Sequence, residues 1–353
     1  FWLKRGVDGF RLDTVNFYVH SQGLENNPPS KPEDRNSPEA PAVNPYNWQD
    51  HIHDKSQPEN LEFLKRLRAL LDRYPGQTTV GEIGDGPRSL KTMAAYTAGG
   101  DKLHMCYTFD FLSPIFTKEH FVNRIKAFEA IVGDGWPCWA FSNHDIVRHV
   151  SRWTHDGDFD GVAKLAAGIL LSLRGSVCLY QGEELGLTEA DIAFEDLQDP
   201  YGIRFWPEYK GRDGCRTPMV WESNGANAGF SSAKPWLPVS PDHIARAVNR
   251  ETTDRASVLA HYRKLIAFRH AHPALRDGSI AFVDSPDDVL AFVREGGGEK
   301  ILCVFNLAAK GASFKLPSDL KVTPLEGHGF AATLDAAGTV GLGGRDAFFG
   351  KIA

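Results

Sequence analysis

The sequence predicts an α/β protein with a parallel sheet, followed by a small all-β domain. Two observations carry this prediction: apolar strands alternate with helices up to Pro273, and short alternating strands bounded by Gly and Asp follow it. Because no hairpin signal separates the early strands, each is expected to be joined to the next by a helix, as in βαβ units. The 353 residues give room for two domains.

Five strands are expected before Pro273, each a short run rich in apolar or β-branched residues. Their predicted spans are 6–15, 77–83, 104–111, 136–142 and 176–181. Four helices are expected because apolar residues recur in them at helical spacing. Their predicted spans are 59–73, 118–131, 161–173 and 255–271.

Two long segments, 20–57 and 190–250, are rich in Pro, Asn or Gly and follow predicted strands. Segments of this length exceed ordinary connections, which indicates functional loops. We expect both segments to form the wall of a pocket. Beyond Pro273, the first predicted strands of the all-β domain are 279–284, 289–295 and 300–307.

Composition and charge exclude several classes of protein. Lys and Arg number 39 against 45 Asp and Glu, a net charge of −6 that argues against a nucleic-acid partner. No apolar run reaches the ~20 residues that a membrane helix needs, so no membrane partner is expected. The five Cys are widely spaced and include no CxxC pair, so no disulfide framework or zinc site can be read from them. Reduced thiols favour a cytoplasmic location, and the oligomeric state stays open.

Three acidic residues stand at the ends of predicted strands: Asp13, Glu82 and Asp145. In a barrel of parallel strands the carboxyl ends form one face, where catalytic groups from separate strands gather. A single acid at a strand end is as often a helix cap or an ion-pair partner. Three such acids in polar surroundings favour catalysis, and we expect their carboxylates to meet at one face.

The neighbours of two of these acids predict different chemical roles. Arg11 lies two residues before Asp13, so both side chains project to the same side of a strand. A fixed cation keeps a carboxylate ionised and able to act as a nucleophile. Glu82 stands between Gly81 and Ile83 with no adjacent base, and an apolar setting raises the pKa of a carboxyl, as a general acid requires. This pairing is that of retaining glycoside hydrolysis.

Six motifs strengthen this interpretation and occur in the correct order along nearly the whole chain. Three of these motifs resemble signature regions of the α-amylase family, glycoside hydrolase family 13: GFRLDTVN at 9–16, GEI at 81–83 and FSNHD at 141–145. The other three motifs resemble the α-glucosidase and oligo-1,6-glucosidase branch of that family: QPEN at 57–60, YQGEELGL at 180–187 and GRDGCRTPMVW at 211–221.

The resemblance implies a fold and a domain organisation. It implies a (β/α)8 TIM barrel, N-terminally truncated so that about strands four to eight are present, followed by a small all-β domain. The expected domains are the C-terminal part of the catalytic barrel over 1–274 and a β-sandwich over 275–353. The family's first signature and its usual metal site would precede residue 1. We therefore expect no metal site and no cofactor in this chain, and no activity from the chain by itself.

The resemblance also implies roles for the three carboxylates. Asp13 matches the family's nucleophile, and Glu82 matches its acid/base. Asp145 matches the third carboxylate, which holds sugar hydroxyls and favours the distorted transition state. We therefore expect a covalent glucosyl-enzyme and a double-displacement mechanism, with an oligosaccharide as the substrate.

Five further residues are expected to bind the substrate. Arg11 and His144 match residues that contact the sugar at the subsite of the carboxylates, and Arg212 matches the arginine that holds the non-reducing glucose. Thr14 resembles the branch that prefers α-1,4 linkages, whereas α-1,6 enzymes tend to carry Val there. Phe109, which follows a predicted strand, is a candidate for stacking on a sugar face.

The function that the resemblance implies is that of an α-glucosidase releasing glucose from the non-reducing end of short α-glucosides. Two alternatives remain open at this point. One is a glucosyl transferase or trehalose-synthase-like isomerase with the same chemistry, in which a sugar outcompetes water. The other is a non-catalytic relative that uses the barrel as a scaffold and would have lost a catalytic acid.

Overall fold

Ten α-helices and thirteen β-strands lie in residues 1–35, 40–318 and 320–353, which are the residues that the computed structural model describes. The strands are β1 (Gly9–Leu12), β2 (Thr78–Ile83), β3 (Met105–Thr108), β4 (Cys138–Ala140), β5 (Ser176–Cys178), β6 (Ser279–Phe282), β7 (Val289–Gly296), β8 (Glu299–Asn306), β9 (Ala312–Lys315), β10 (Val322–Pro324), β11 (Thr333–Leu334), β12 (Thr339–Leu342) and β13 (Ala347–Ile352). The helices are α1 (Glu59–Leu71), α2 (Ser89–Thr97), α3 (Lys118–Glu129), α4 (His149–Trp153), α5 (Phe159–Leu170), α6 (Pro200–Phe205), α7 (Pro241–Ile244), α8 (Val248–Thr253), α9 (Val258–Ala271) and α10 (Pro273–Asp277).

The contacts within the chain divide it into two compact units. The first unit comprises residues 1–113 and 123–140, and the second comprises 114–122 and 141–353. The predicted domain boundary between 274 and 275 stays a prediction. No helix of the described chain combines the length and the apolar character that crossing a membrane would take.

The first unit contains a parallel sheet in the order β1–β2–β3. Leu12 of β1 is opposite Gly81 of β2, and Glu82 of β2 is opposite Tyr107 of β3. A Cβ at position 81 would lie 2.7 Å from a methyl group of Leu103, so a larger residue there would displace this core side chain. The parallel register places the carboxyl ends of the three strands at the same level of the sheet.

All five strands predicted before Pro273 are confirmed as β1 to β5, and the four predicted helices are confirmed as α1, α3, α5 and α9. Helix α2 was not predicted, although its residues Leu90, Met93 and Tyr96 are buried. With nine residues, among them one Ser and two Thr of modest helix propensity, it is too short to show a clear helical pattern. Its packing against β3 stabilises it instead.

Helices α4, α5 and α9 of the second unit share an apolar core. The core is formed by Val150, Ala163, Ala167, Leu171, Val258, Tyr262 and Leu265. Side chains cap two of these helices: Asp158 accepts the Gly161 N–H at 3.0 Å, and Ser257 accepts the Ala260 N–H at 3.0 Å. Such caps satisfy N–H groups that have no partner within the helix.

The two segments expected as loops differ in their structure. Within 20–57, the described residues form no α-helix and no β-strand, only two short 3₁₀ turns and an isolated bridge between Pro29 and Gln49. The segment 190–250 was expected to be irregular, but it contains α6, α7 and α8. Pro residues start α6 and α7, where a missing N–H costs nothing.

Residues after α10 form antiparallel sheets, as predicted. One has the order β10–β13–β8–β7–β6, and the other has the order β11–β12–β9. Their inward side chains form one apolar core: Val289, Ala291, Leu302, Val304, Phe314, Leu316, Val340, Leu342 and Phe348. The three predicted strands at 279–284, 289–295 and 300–307 are confirmed as β6, β7 and β8.

Candidate active site

The carboxyl ends of β1, β2 and β3 carry a cluster of polar side chains in the first unit. Arg11 lies in β1, and Asp13 follows it directly after the strand ends. Since Leu12 is opposite Gly81, the next residues of the two strands, Asp13 and Glu82, reach the same level of the sheet. The sequence spacing and the parallel register together bring the two acids side by side.

One guanidinium group contacts both carboxylates. Nη1 of Arg11 donates to Oδ1 of Asp13 at 2.6 Å, and Nη2 of Arg11 is 2.8 Å from Oε2 of Glu82. Partial burial works against the charge of this guanidinium, but its hydrogen bonds to Tyr107 and Asp13 raise the pKa of Arg11. Glu82 has no base beside it in the sequence, but Arg11 reaches it from the adjacent strand, which the order of residues does not reveal.

The two acids differ sharply in exposure. The Glu82 side chain is 5% exposed, whereas that of Asp13 is 69% exposed. Burial raises the pKa of Glu82, and a hydrogen bond to Asp13 acts in the same direction. Hydrogen bonds from Tyr107 and the Thr14 N–H, together with the charge of Arg11, offset part of this rise. Glu82 thus keeps a proton to higher pH than an ordinary glutamate, as its predicted role as an acid requires.

Thr14 adopts a left-handed backbone conformation, with φ 43° and ψ 44°. A β-branched residue rarely adopts this conformation, and such strain is concentrated at functional sites. Here the turn aims the Thr14 N–H at Oε2 of Glu82, at 3.3 Å. The strained turn therefore supplies the buried carboxyl with a backbone donor.

Tyr107 on β3 belongs to this cluster but is not among the residues predicted from the sequence. Its hydroxyl donates to Oε1 of Glu82 at 2.8 Å and accepts from Nη2 of Arg11 at 2.9 Å. The available signal was the two-residue alternation of a strand, which places Tyr107 on the same side as the predicted Phe109. Phe109 itself follows β3 and is only 9% exposed. Its contact with a sugar stays a prediction.

In the second unit, Asp145 is held by three cationic or ionisable neighbours. Its Oδ1 accepts from Nη1 of Arg212 and from Nη2 of Arg216, both at 2.9 Å, and its Oδ2 is 3.3 Å from Nε2 of His144. The side-chain oxygen of Asn143 accepts the Asp145 N–H at 2.9 Å, which turns the chain at this point. The predicted residues His144, Asp145 and Arg212 are therefore brought together.

A buried carboxylate fixes the orientation of Arg212. Oδ1 of Asp199 accepts from Nη2 at 2.7 Å, and Oδ2 accepts from Nε at 3.0 Å and from the backbone N–H of Arg212 at 2.8 Å. Although burial acts in the opposite direction, these hydrogen bonds lower the pKa of Asp199. The paired contacts leave Nη1 directed at Asp145.

Asp199 and Arg216 are two further site residues that are not among those predicted from the sequence. Arg216 stands in the motif that contains Arg212, four residues later, so the motif held a signal for it. Asp199 lies in a Gly-, Pro- and Asn-rich segment with no periodicity, and only the fold brings it to Arg212. The side chain of Asp199 caps α6 by accepting the Tyr201 N–H at 3.3 Å, so one residue serves both the helix and the arginine.

The predicted residues thus form one cluster in each unit. The first contains Arg11, Asp13, Thr14 and Glu82, and the second contains His144, Asp145 and Arg212. That all three carboxylates meet at one face stays a prediction. Among the described residues, no group of three or more His, Cys, Asp or Glu side chains is arranged to hold a metal ion.

Comparison with known proteins gives consistent matches. The profile described as alpha amylase, catalytic domain, matches residues 1–278, and that of the maltogenic amylase C-terminal domain matches 280–332. A probable alpha-glucosidase of Rhizobium meliloti strain 1021 is 56% identical over 356 residues, covering 100% of this chain and 64% of that protein. These likenesses fit a TIM barrel followed by an all-β domain.

Solved structures resemble the chain over its whole length. The crystal structure of the alpha-glucosyl transfer enzyme XgtA has a TM-score of 0.95 and 47% identity, covering 100% of this chain and 65% of that chain. The trehalulose synthase MutB of Pseudomonas mesoacidophila MX-45 has a TM-score of 0.82 and 30% identity, covering 100% and 66%. The chain therefore spans less than two thirds of the length of these relatives.

Proposed function

The chain belongs to the α-amylase family, glycoside hydrolase family 13, and on that premise we propose that it carries the catalytic carboxylates of a retaining α-glucosidase. The observation that carries the proposal is the Arg11 guanidinium shared by an exposed Asp13 and a buried Glu82 of raised pKa. Two neighbouring carboxyl groups in different environments divide into a nucleophile and an acid. The retained acids also argue against a non-catalytic scaffold.

In the first half-reaction, Asp13 attacks the anomeric carbon of the terminal glucose. Glu82 gives its proton to the glycosidic oxygen while the bond between that oxygen and the anomeric carbon breaks. Arg11 donates to the Asp13 carboxylate at 2.6 Å, and burial raises the pKa of Glu82, so that Glu82 keeps its proton to higher pH. The products are a shortened sugar and a glucosyl ester on Asp13.

In the second half-reaction, water replaces Asp13. Glu82, now ionised, takes a proton from the attacking water, and the bond between the anomeric carbon and Asp13 breaks. Two inversions at the same carbon retain the α configuration. Arg11, Tyr107 and the Thr14 N–H stabilise the ionised Glu82 during this step.

We assign sugar binding to the cluster around Asp145. The Asp145 carboxyl group, held by Arg212 and Arg216, can accept hydrogen bonds from sugar hydroxyls, and His144 can donate one. Because Asp199 fixes Arg212, the arginine loses little side-chain entropy when it binds glucose. Phe109 is assigned to the same substrate as a contact. The cytoplasmic location is also part of the proposal, since Cys106, Cys215 and Cys303 are free thiols.

Thr14 is the residue to test for linkage preference. We expect Thr14→Val to lower the ratio of maltose to isomaltose hydrolysis about tenfold, because the residue that follows the proposed nucleophile Asp13 loses its hydroxyl. Val is also β-branched, so the left-handed turn changes little. The kcat/KM values on both disaccharides measure the effect. Thr78→Val is the matched control, because Thr78 lies at the other end of β2 from Glu82. An unchanged ratio of maltose to isomaltose hydrolysis in Thr14→Val would exclude a role of Thr14 in linkage preference.

Glucosyl transfer is the second candidate function. It is favoured by the likeness to an alpha-glucosyl transfer enzyme and to a trehalulose synthase, which the proteins' own names describe. Both functions use the same covalent intermediate, and they differ in whether water or a sugar attacks it.

Product analysis separates the two candidates. The protein as its gene encodes it is incubated with maltose, isomaltose and sucrose, and products are identified over time. An α-glucosidase is expected to release glucose at twice the molar rate at which maltose disappears. A transferase would release less glucose and accumulate new oligosaccharides, and an isomerase would convert one disaccharide into another. No conversion of any α-glucoside would contradict both candidates.

A further inference from the structure

The hydroxyl of Tyr107 lies between the two groups that are central to the proposed chemistry of the first unit. Tyr107 is opposite Glu82 in the parallel register of β2 and β3, and it is only 4% exposed. Its Oη is 2.8 Å from Oε1 of Glu82 and 2.9 Å from Nη2 of Arg11. The ring also lies beneath the guanidinium, with the Arg11 Cζ 5.9 Å from its centroid.

The direction of these two hydrogen bonds follows from the chemistry of arginine. A guanidinium has donors only, so the bond between Arg11 and Tyr107 uses a lone pair of the hydroxyl oxygen. The hydroxyl proton of Tyr107 is therefore available to Oε1 of Glu82. Burial and the nearby charge of Glu82 raise the pKa of Tyr107, so the phenol keeps this proton across the working pH range.

We propose that Tyr107 is a positioning residue for the Glu82 carboxyl, and this inference rests on the proposed role of Glu82 as the acid/base. Tyr107 holds Oε1, while Arg11 and the Thr14 N–H hold Oε2. With both oxygens engaged, the carboxyl group is fixed about its terminal torsion. Arg11 in turn fixes the hydroxyl of Tyr107, so the three side chains form one hydrogen-bonded unit.

The hydrogen bond from Tyr107 to Oε1 of Glu82 also affects the balance between the protonated and ionised forms of Glu82. The titratable and charged groups that face Glu82 are Arg11 and Asp13 from β1 and the turn after it, and Tyr107 from β3. Hydrogen bonds that a carboxylate accepts favour its ionised form. Tyr107 therefore limits the effect of burial, so that Glu82 can give up its proton in one half-reaction and take one back in the other.

The test is Tyr107→Phe in the protein as its gene encodes it. The ring is kept and only the hydroxyl is lost, so the ionised form of Glu82 loses one donor. We expect the basic limb of the pH profile of kcat/KM, where the pair of Glu82 and Asp13 loses its proton, to move up by about one pH unit. We also expect kcat to fall about tenfold, because a hydrogen bond to a charged group is lost. Steady-state kinetics on maltose from pH 4 to 9 measure both effects.

Tyr96→Phe is the matched control. Tyr96 is also a buried tyrosine of the first unit, and its hydroxyl accepts a hydrogen bond from Asn60 at 2.8 Å, with no contact to Glu82. Its loss is expected to lower the melting temperature without moving the basic limb. If Tyr107→Phe lowers kcat but leaves the basic limb of the pH profile unmoved, Tyr107 has only a structural role and the inference is overturned.

A second substitution keeps the inference testable if Tyr107→Phe does not fold. Site-specific 3-fluorotyrosine at position 107 keeps the shape of the side chain and makes its hydroxyl a stronger donor. The basic limb is then expected to move to lower pH, opposite to the shift in Tyr107→Phe, and an unmoved limb contradicts the inference. Glu82→Gln tests the underlying function separately: if it keeps near-normal activity, the proposed role of Glu82 fails, whatever Tyr107 does.

Discussion

Asp13→Asn is expected to abolish turnover of α-glucosides while leaving the fold intact. The amide has the shape of the carboxylate and still accepts a hydrogen bond from Nη1 of Arg11, but it cannot attack the anomeric carbon. Because no covalent intermediate forms, kcat/KM on maltose should fall about 10⁵-fold or more, the scale on which removal of a nucleophile acts. Circular dichroism and the melting temperature should stay close to those of the parent protein.

The stereochemistry of rescue identifies the role of Asp13. In Asp13→Gly, azide can enter the space of the lost carboxylate and attack the anomeric carbon of α-glucosyl fluoride directly. One inversion is then expected to yield β-glucosyl azide. Asp8→Asn, an exposed aspartate at the other end of β1, is the control and should keep full activity. Near-normal hydrolysis by Asp13→Asn would contradict the assignment.

Glu82→Gln is expected to lower kcat/KM on maltose by about 10³-fold, within the range of general acid catalysis. Gln keeps the size of the side chain and an oxygen that accepts from Tyr107, but it has no proton to give to the glycosidic oxygen. A substrate such as α-glucosyl fluoride, whose leaving group needs little protonation, should lose far less in the first half-reaction. The ratio of the two losses measures how much of the effect comes from proton donation.

Azide also distinguishes Glu82 from Asp13. In Glu82→Gln the glucosyl ester on Asp13 still forms with the good leaving group, and azide needs no general base to attack it. Two inversions are then expected to yield α-glucosyl azide, the opposite anomer to that from Asp13→Gly. Glu251→Gln is the matched control, because burial raises the pKa of Glu251 to about 7, and its carboxylate accepts the Leu259 N–H and pairs with Arg246. Equal losses on maltose and α-glucosyl fluoride would contradict the role of Glu82.

The regular elements could be predicted where the apolar pattern extends over a whole strand or a long helix. β2 and α5 show such patterns, and their predicted positions agree with the structure within a few residues. Short helices could not be predicted in this way. α2 and α6 depend on packing and on caps, which are contacts between parts of the chain that the local pattern does not contain.

The candidate site shows the same division. Arg11 and Asp13 are two residues apart in one strand, so their ion pair was predictable from spacing alone. Tyr107 was not recognised, because its partner Glu82 is 25 residues away and only the register of β2 and β3 aligns them. Asp199 was not recognised for the same reason, since the fold brings it to Arg212.

The alternation of strands and helices, the all-β character of the last 80 or so residues and the family resemblance could all be read from the sequence. The three candidate acids could be named from it too, because all of these depend on residue type and on short-range spacing. The environment of each acid, in contrast, depends on contacts that form only when the chain folds. The strand register places Arg11 of β1 and Tyr107 of β3 beside Glu82, and burial raises the pKa of Glu82, whereas the Asp13 side chain is exposed. The pKa of a carboxyl group depends on the solvent and the charges around it in three dimensions, and the order of residues along the chain gives neither.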